Sequence, residues 1–347
     1  MVEREAEAGR FVWCSARMVP WCALGAATLL GLFAPGWTAT AAPWPFVIAL
    51  LFFGMPHGAA DWTVAARLAG RDTLGARLAG FTGYLLMMGA CTAFMMWQPG
   101  MATLLFLLLT VFHFGMADAT AVHADADGPV ARWGLVLGRG LLLLSTAFAT
   151  HPEAAWAPFA DIAAAFCRGT PWTPDLPALQ AMAKLGVVSG ALLAACSAFA
   201  RARQGHARDA ALDLAEHALV MAMASLADPL FAVGCFFLGV HAFRHTRRLA
   251  CTRTILEPPA APRELLGRLT RVHALSLPLI WPTALCLAPI CWLLGGFGMR
   301  DLAVASIAFY MITTLPHHLL GLKLPQPDLS PARPVSANVR RTAAVHA

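Results

Sequence analysis

Long apolar segments recur along the whole chain, and they limit what it can fold into. Several reach about 20 residues, the length that an α-helix needs to cross the hydrocarbon layer of a membrane. Hydrophobic residues occupy 59% of the 347 positions and charged residues 13%, and the mean hydropathy is +0.63. The segments are continuously apolar and do not alternate with polar residues, which argues against a β-barrel. The sequence therefore predicts an all-α, polytopic integral membrane protein with about 8–10 transmembrane helices.

Turn residues between the apolar segments divide the chain into ten predicted helices. They cover about residues 20–35, 44–60, 78–98, 101–120, 131–149, 178–200, 211–226, 229–246, 272–297 and 301–321. A stretch over 150–177, rich in Pro and Trp, is predicted to be a loop. We expect an N-terminal cytoplasmic arm over 1–19, a single transmembrane helical catalytic domain over 20–321 and a disordered tail over 322–347.

Lysine and arginine are distributed unevenly among the predicted loops. With ten helices, 21 of the 25 basic residues lie on one side, two lie in the opposite loops and two lie inside helices. The positive-inside rule then places both termini in the cytoplasm and predicts a multi-pass protein of the inner (plasma) membrane. The net charge of +6 reflects this topology and does not indicate nucleic-acid binding. The first helix is expected to be an uncleaved anchor, although Ala39-Thr40-Ala41 resembles a signal-peptidase site.

Histidines recur near one end of four predicted helices. His241 and His245 are four residues apart, so they share one face of their helix. His57, His113 and His317 lie near the ends of three other helices, and in the predicted topology all four helices run from outside to inside. Polar side chains in a membrane helix need partners, and a metal ion is a common partner for imidazoles at this spacing. The pattern predicts one metal site near the cytoplasmic face.

Two carboxylates and two glycines accompany these histidines. Asp61 follows His57 by four residues, and Asp118 follows His113 by five. A metal-bound histidine commonly donates its other N–H to a carboxylate, so we expect both aspartates to support the ligands from outside the coordination shell. Gly58 and Gly115, each directly after a histidine, are expected to let helices approach closely.

The residue types narrow the chemistry. An all-histidine site suits Zn, Cu, Fe or Ni, and none of the nine cysteines forms a CxxC pair. The apolar surroundings suit a lipid-soluble substrate, which favours oxygen chemistry on a hydrocarbon. No Rossmann fingerprint, P-loop or serine nucleophile motif is present. Candidate aromatic residues for the wall of a substrate tunnel are Trp62, Phe112, Phe114, Phe236, Phe237, Phe243 and Tyr310.

Four short segments together resemble the Brp/Blh family, the bacterial and archaeal membrane β-carotene 15,15′-dioxygenases. They are Pro56-His57-Gly58-Ala59-Ala60-Asp61, His113-Phe114-Gly115-Met116-Ala117-Asp118, His241-Ala242-Phe243-Arg244-His245 and Leu315-Pro316-His317. Asp228-Pro229-Leu230-Phe231-Ala232 also resembles this family. The segments keep the family's order and span about residues 54–321. His318 departs from the family's pattern.

The resemblance implies an Fe(2+) enzyme that splits the central double bond of β-carotene with O2 and produces two molecules of retinal. It implies that His57, His113, His241 and His245 bind the iron. It also implies that His317 lies in the pocket or supports the ligands from outside the coordination shell. The expected partners are β-carotene, O2 and membrane lipid, with a functional link to a retinal-binding rhodopsin and none to nucleic acid.

Other functions remain open at this point. A membrane di-iron hydroxylase or desaturase needs repeated HxxxH and HxxHH clusters, and this chain has one HxxxH and no HxxHH. A membrane-embedded metal-binding or bis-histidine haem protein, or a metal transporter, would not cleave a carotenoid. A transporter would more often carry carboxylates or thiols along a path through the bilayer, whereas these histidines gather at one side.

Overall fold

The computed structural model of the protein describes residues 2–123, 128–167, 172–252, 254–256 and 265–325. These residues form α-helices, one π-helical segment and connecting turns, with no β-strand among them. The helices are α1 (Val2–Phe33), α2 (Pro35–Thr40), α3 (Trp44–Leu51), α4 (Gly54–Ala59), α5 (Asp61–Leu68), α6 (Leu74–Trp97), α7 (Pro99–Val122), α8 (Pro129–Thr150), α9 (Pro152–Phe166), α10 (Leu176–Arg203), α11 (Ala207–Leu226), α12 (Pro229–Phe236), α13 (Phe243–Ala250), α14 (Leu265–Leu294) and α15 (Met299–Leu322). The π-helical segment, Phe237–Ala242, joins α12 to α13. The predicted all-α class is confirmed.

Seven helices of the described chain are long and apolar enough to cross a membrane. They are α6, α7, α8, α10, α14, α15 and the part of α1 from Ala16 to Phe33. The bent pair formed by α3 with α4–α5 would be an eighth span. Large apolar side chains such as Leu86, Trp281 and Trp292 are more than two-thirds exposed, at 71%, 77% and 72%. This surface suits lipid contact, as expected for a polytopic membrane protein, while the orientation of the termini stays a prediction.

Two of the predicted segments differ from the structure. The first helix begins at Val2 and not near residue 20, so residues 2–19 of the predicted arm are helical. The predicted loop over 150–177 contains α9, which starts with Pro152 in its first turn and buries Trp156 and Phe159 in the main hydrophobic core. Burial of this apolar face outweighs the helix-breaking tendency of Pro158 within it. Most of the predicted tail, from residue 326 on, lies outside the described residues.

The predicted helix over 44–60 is broken into two parts. α3 ends at Leu51, and α4 begins at Gly54 after a bend of 41°. Phe53 has a φ of 55°, which is strained for a residue with a bulky side chain. Its amide donates a hydrogen bond to Nε2 of His273 at 3.2 Å, and its ring meets that imidazole edge to face. The contact with α14 therefore stabilises the break. Residues 52 and 53 are both Phe, so no Pro or Gly at these two positions indicates a break in the sequence.

α7 and α8 approach each other through two glycines. A Cβ atom at Gly115 would overlap the backbone of Val136, and one at Gly140 would overlap the backbone of Val111. The predicted close approach at Gly115 is confirmed. The same prediction is wrong for Gly58, where a Cβ would meet nothing within 4 Å. The missing side chain at Gly58 leaves open space beside α4.

Candidate metal centre

Six histidines gather where α4, α7, the π-helical segment, α13 and α15 meet. They are His57, His113, His241, His245, His317 and His318. All six are buried, with exposed fractions of 8% or less. Apart from the neighbouring pair in α15, they come from separate helical segments. The fold therefore brings together all four histidines that the family resemblance implies as ligands.

The spacing of the four proposed ligands suits a shared ion. Ring centres are 4.6 Å apart for His113 and His241, 5.1 Å for His57 and His245, and 5.6 Å for His57 and His241. The pair His241 and His245 is 6.4 Å apart. With a metal–nitrogen bond of about 2.1 Å, ring centres lie roughly 4.6 Å apart at neighbouring positions and roughly 6.5 Å apart at opposite ones. The measured separations cover the same range.

Hydrogen bonds at Nδ1 orient two of these rings. Nδ1 of His57 lies 2.8 Å from the carbonyl oxygen of Phe53, so this nitrogen carries the proton and donates it. The break before α4 therefore fixes the tautomer of His57 and leaves Nε2 with its lone pair. Nδ1 of His113 lies 3.1 Å from Nδ1 of His318, so one of these rings donates to the other. Such outer contacts commonly orient metal-bound histidines.

Several ring nitrogens in the cluster are buried without a hydrogen-bond partner. Both nitrogens of His241 and Nε2 of His245 and His317 are in this state. An unsatisfied buried polar atom costs about 1–3 kcal/mol, which a bound cation would offset. Among the described residues, no group of three or more potential ligands is already arranged to hold an ion. The donor set fits a metal in number, type and proximity, although the nitrogens of the described residues do not converge on one point.

A large apolar cavity borders the histidines. It encloses about 1040 Å³ between α4, α6, α7, α14 and α15, counting the part that opens outward. His57, His113, His241 and His317 form one part of its wall. Of the predicted wall residues, Phe114, Phe237 and Tyr310 line the cavity. Trp62, Phe112, Phe236 and Phe243 do not line it, so that prediction is wrong for them.

The cavity wall presents hydrocarbon almost everywhere. No Asp, Glu, Lys or Arg is among the described residues that line it. The hydroxyls of its four threonines donate hydrogen bonds to carbonyl oxygens one turn earlier in their own helices, so these hydroxyls are already paired. These threonines are Thr110, Thr283, Thr313 and Thr314. An uncharged, apolar ligand therefore fits this space better than a polar one.

Asp61 lies at the cluster but supports a different histidine from the one predicted. Its Oδ2 lies 2.6 Å from Nδ1 of His317. The prediction paired Asp61 with His57 because the two are four residues apart. A four-residue spacing places two side chains on one face only within a continuous helix, and here α4 ends at Ala59 and α5 begins at Asp61.

Asp118 is not a partner of His113, contrary to the prediction. Its Oδ2 accepts hydrogen bonds from Arg244 at 3.0 Å and from Arg139 at 3.3 Å. Arg244 also makes two hydrogen bonds to the carboxylate of Glu216, at 2.7 and 3.0 Å. These four charged side chains are buried together, so the two carboxylates neutralise the two guanidinium groups in the interior. Since Arg244 lies between His241 and His245, these ion pairs anchor the segment that carries both histidines.

Two residues of the site had no interpretable signal in the sequence. His318 departs from the family's pattern, and its contact with His113 depends on how α15 packs against α7. The carbonyl oxygen of Phe53 becomes available to His57 through the broken helix. The π-helical turn around His241 was also not predicted; such turns often occur at functional sites.

Comparison with known proteins adds an independent finding. Residues 48–325 match the family model described as "Beta-carotene 15,15'-dioxygenase". The chain is 28% identical over 324 residues to the "Probable beta-carotene 15,15'-dioxygenase Blh" of Halobacterium salinarum, covering 90% of this chain and 92% of that protein. A "Beta-carotene 15,15'-dioxygenase" of an uncultured marine bacterium, 66A03, is 34% identical over 97 residues, or 27% of this chain and 35% of that protein. No solved structure matches the chain significantly.

Proposed function

Because the chain belongs to the β-carotene 15,15′-dioxygenase family, we propose that it cleaves the central double bond of β-carotene at an Fe(II) ion held by His57, His113, His241 and His245. The family places the chain among carotenoid-cleaving dioxygenases. In the proposed reaction, one carbon–carbon double bond breaks and each of its carbons gains one oxygen atom from O2. Two molecules of retinal form, with no other reductant or oxidant needed.

One observation carries this proposal. The histidine cluster forms part of the wall of an apolar cavity, so a metal there would face a hydrocarbon ligand directly. A structural metal would be enclosed by its ligands and would not need a neighbouring cavity of this size. The haem and transporter alternatives do not require an apolar cavity with ring nitrogens on its wall.

The chain's own residues hold and shield the reacting groups. Neutral imidazoles bind a dication without cancelling its charge, and the Phe53 carbonyl keeps His57 in the tautomer that leaves Nε2 free. Bound Fe(II) would supply the activation of O2. The aromatic wall formed by Phe114, Phe237 and Tyr310 positions the polyene and excludes water. No acid–base residue is needed, since the proposed reaction moves no proton.

The same proposal implies in which membrane the enzyme acts and which kind of protein uses its product. β-Carotene dissolves in the lipid phase, so we place the enzyme in the plasma membrane, where the substrate is at hand. Retinal leaves the reaction as a free aldehyde, which a retinal-binding rhodopsin can consume by forming a Schiff base with a lysine.

The proposal is tested by expression in a bacterium that accumulates β-carotene. We expect the wild-type protein to bleach the cells and to yield extractable retinal. The His241→Ala variant should leave the carotene unchanged, whereas His206→Ala, at an exposed position outside the histidine cluster, should still produce retinal. Unchanged carotene with folded, iron-loaded wild-type protein would contradict the proposed substrate. Unchanged carotene with no bound metal would contradict the site itself.

A further inference from the structure

His317 is placed like the four proposed ligands. It lies on α15 and is buried, with 6% of its surface exposed. Its ring centre is 5.0 Å from that of His57, 5.2 Å from that of His113 and 4.9 Å from that of His245. These separations fall within the range found among the four proposed ligands themselves. The ring of His317 therefore lies among those of the four proposed ligands.

The two nitrogens of His317 have different environments. Nδ1 bonds to Asp61 at 2.6 Å, whereas the buried Nε2 has no hydrogen-bond partner. Asp61 is itself buried, with 2% of its surface exposed. An ionised carboxylate accepts the Nδ1 proton, which leaves the Nε2 lone pair available. A carboxylate behind an imidazole whose other nitrogen lacks a partner is the usual arrangement of a metal-bound histidine.

His318 gives a useful contrast on the same helix. Its Nδ1 lies 3.1 Å from Nδ1 of His113, and its ring centre lies 6.0 Å from that of Phe112. It thus lies behind one proposed ligand, on the outer side of the cluster. His318 therefore supports His113, whereas His317 faces the rings of the other proposed ligands.

We propose that His317 is a fifth imidazole ligand of the iron and that Asp61 positions it. This inference rests on the proposed function, because it assigns one more residue to the same metal. Five imidazoles would leave a six-coordinate ion with one position for O2. The cavity wall, and not the metal, must then hold the polyene in place, which agrees with its apolar lining.

A cysteine placed at a ligand position reports metal contact directly. We would load purified full-length protein with Co(II) and record its near-ultraviolet absorption. We expect His317→Cys to gain a thiolate-to-cobalt charge-transfer band. The band should be absent from Thr314→Cys, which places the thiol one turn earlier on the cavity wall, and from wild type, which carries the same nine native cysteines. One bound cobalt in His317→Cys without this band would overturn the proposal.

Iron affinity provides a second measurement. His317→Gln keeps much of the side-chain volume and should bind Fe(II) at least about 10-fold more weakly than wild type, whereas the matched His206→Gln, at an exposed position outside the cluster, should bind it as wild type does. Wild-type affinity in His317→Gln would overturn the fifth-ligand assignment while leaving the four-histidine site intact. Failure of wild-type protein to bind either metal would instead contradict the proposed function, so the two failures can be told apart.

Discussion

Nδ1 of His317 lies 2.6 Å from Oδ2 of Asp61, which joins residues that are 256 positions apart in the chain. The contact links α15 to the start of α5 at the edge of the histidine cluster. It requires both the break between α4 and α5 and the packing of α15 against them. Asp61 is therefore part of the candidate site through its position in the fold and not through its distance in sequence from His57.

Removing the charge of Asp61 should weaken the metal site without abolishing it. Asp61→Asn keeps the shape of the side chain but loses the carboxylate that orients His317. We expect iron affinity to fall by about 10- to 100-fold, the usual effect of losing such a partner. Iron titration of the purified variant measures this effect. Wild-type affinity would show that Asp61 has no role at the metal.

Breaking the paired face of the π-helical segment and α13 should remove iron and activity together. We expect His241→Ala and His245→Ala each to lose most bound iron, because each deletes one proposed ligand. His206→Ala, at an exposed position outside the cluster, is the control and should retain both iron and activity. Metal analysis alongside retinal assay provides the comparison. Full iron occupancy in both variants would rule out the four-histidine site.

The two glycines that follow histidines should respond differently to the same substitution. Gly115→Ala should prevent correct packing, because its Cβ would overlap the backbone of Val136. Gly58→Ala should fold normally, since open space surrounds that position. Thermal unfolding in detergent distinguishes the two. Equal stability of both variants would contradict the close approach of α7 and α8.

A larger side chain at Gly58 should act on the substrate rather than on the fold. Gly58 lines the cavity, so the side chain in Gly58→Leu would occupy space beside His57. We expect normal iron content with a several-fold lower kcat/KM for β-carotene. Unchanged kinetics in the folded variant would mean that the carotenoid does not use this part of the cavity.

The buried ion pairs behind the histidines should contribute strongly to stability. Arg244→Gln leaves Glu216 and Asp118 short of one buried partner and is expected to cost about 3–5 kcal/mol. The matched control, Arg300→Gln, breaks an exposed ion pair with Asp161 and should cost at most about 1 kcal/mol. Denaturant unfolding in detergent measures both. Similar costs for the two variants would show that the buried cluster has no special structural role.

Much of the architecture could be predicted because a membrane imposes it. Apolar length predicted where the long helices lie, and the helices over 78–98, 131–149 and 301–321 match α6, α8 and α15 closely. The histidines could be grouped because the predicted topology placed four helix ends at one depth. Both inferences depend on properties that neighbouring residues share along one helix.

The rest depends on contacts between distant segments. The break at Phe53 needs His273, the ion pairs of Asp118 need Arg139 and Arg244, and the role of Asp61 needs His317. Spacing along one helix could not reveal these partners. It paired each aspartate with its nearest histidine, and the structure pairs neither of them that way.

Carotenoid cleavage by this protein is proposed to depend on an iron ion held by the histidine cluster. The most direct test is to titrate metal-free purified protein with Fe(II) under anaerobic conditions, add β-carotene and O2, and quantify retinal. We predict that the rate rises with bound iron to saturation at one ion per chain, with two retinal molecules formed per β-carotene. His241→Ala should form none. Retinal formation that does not depend on bound iron, or that persists in His241→Ala, would contradict the account.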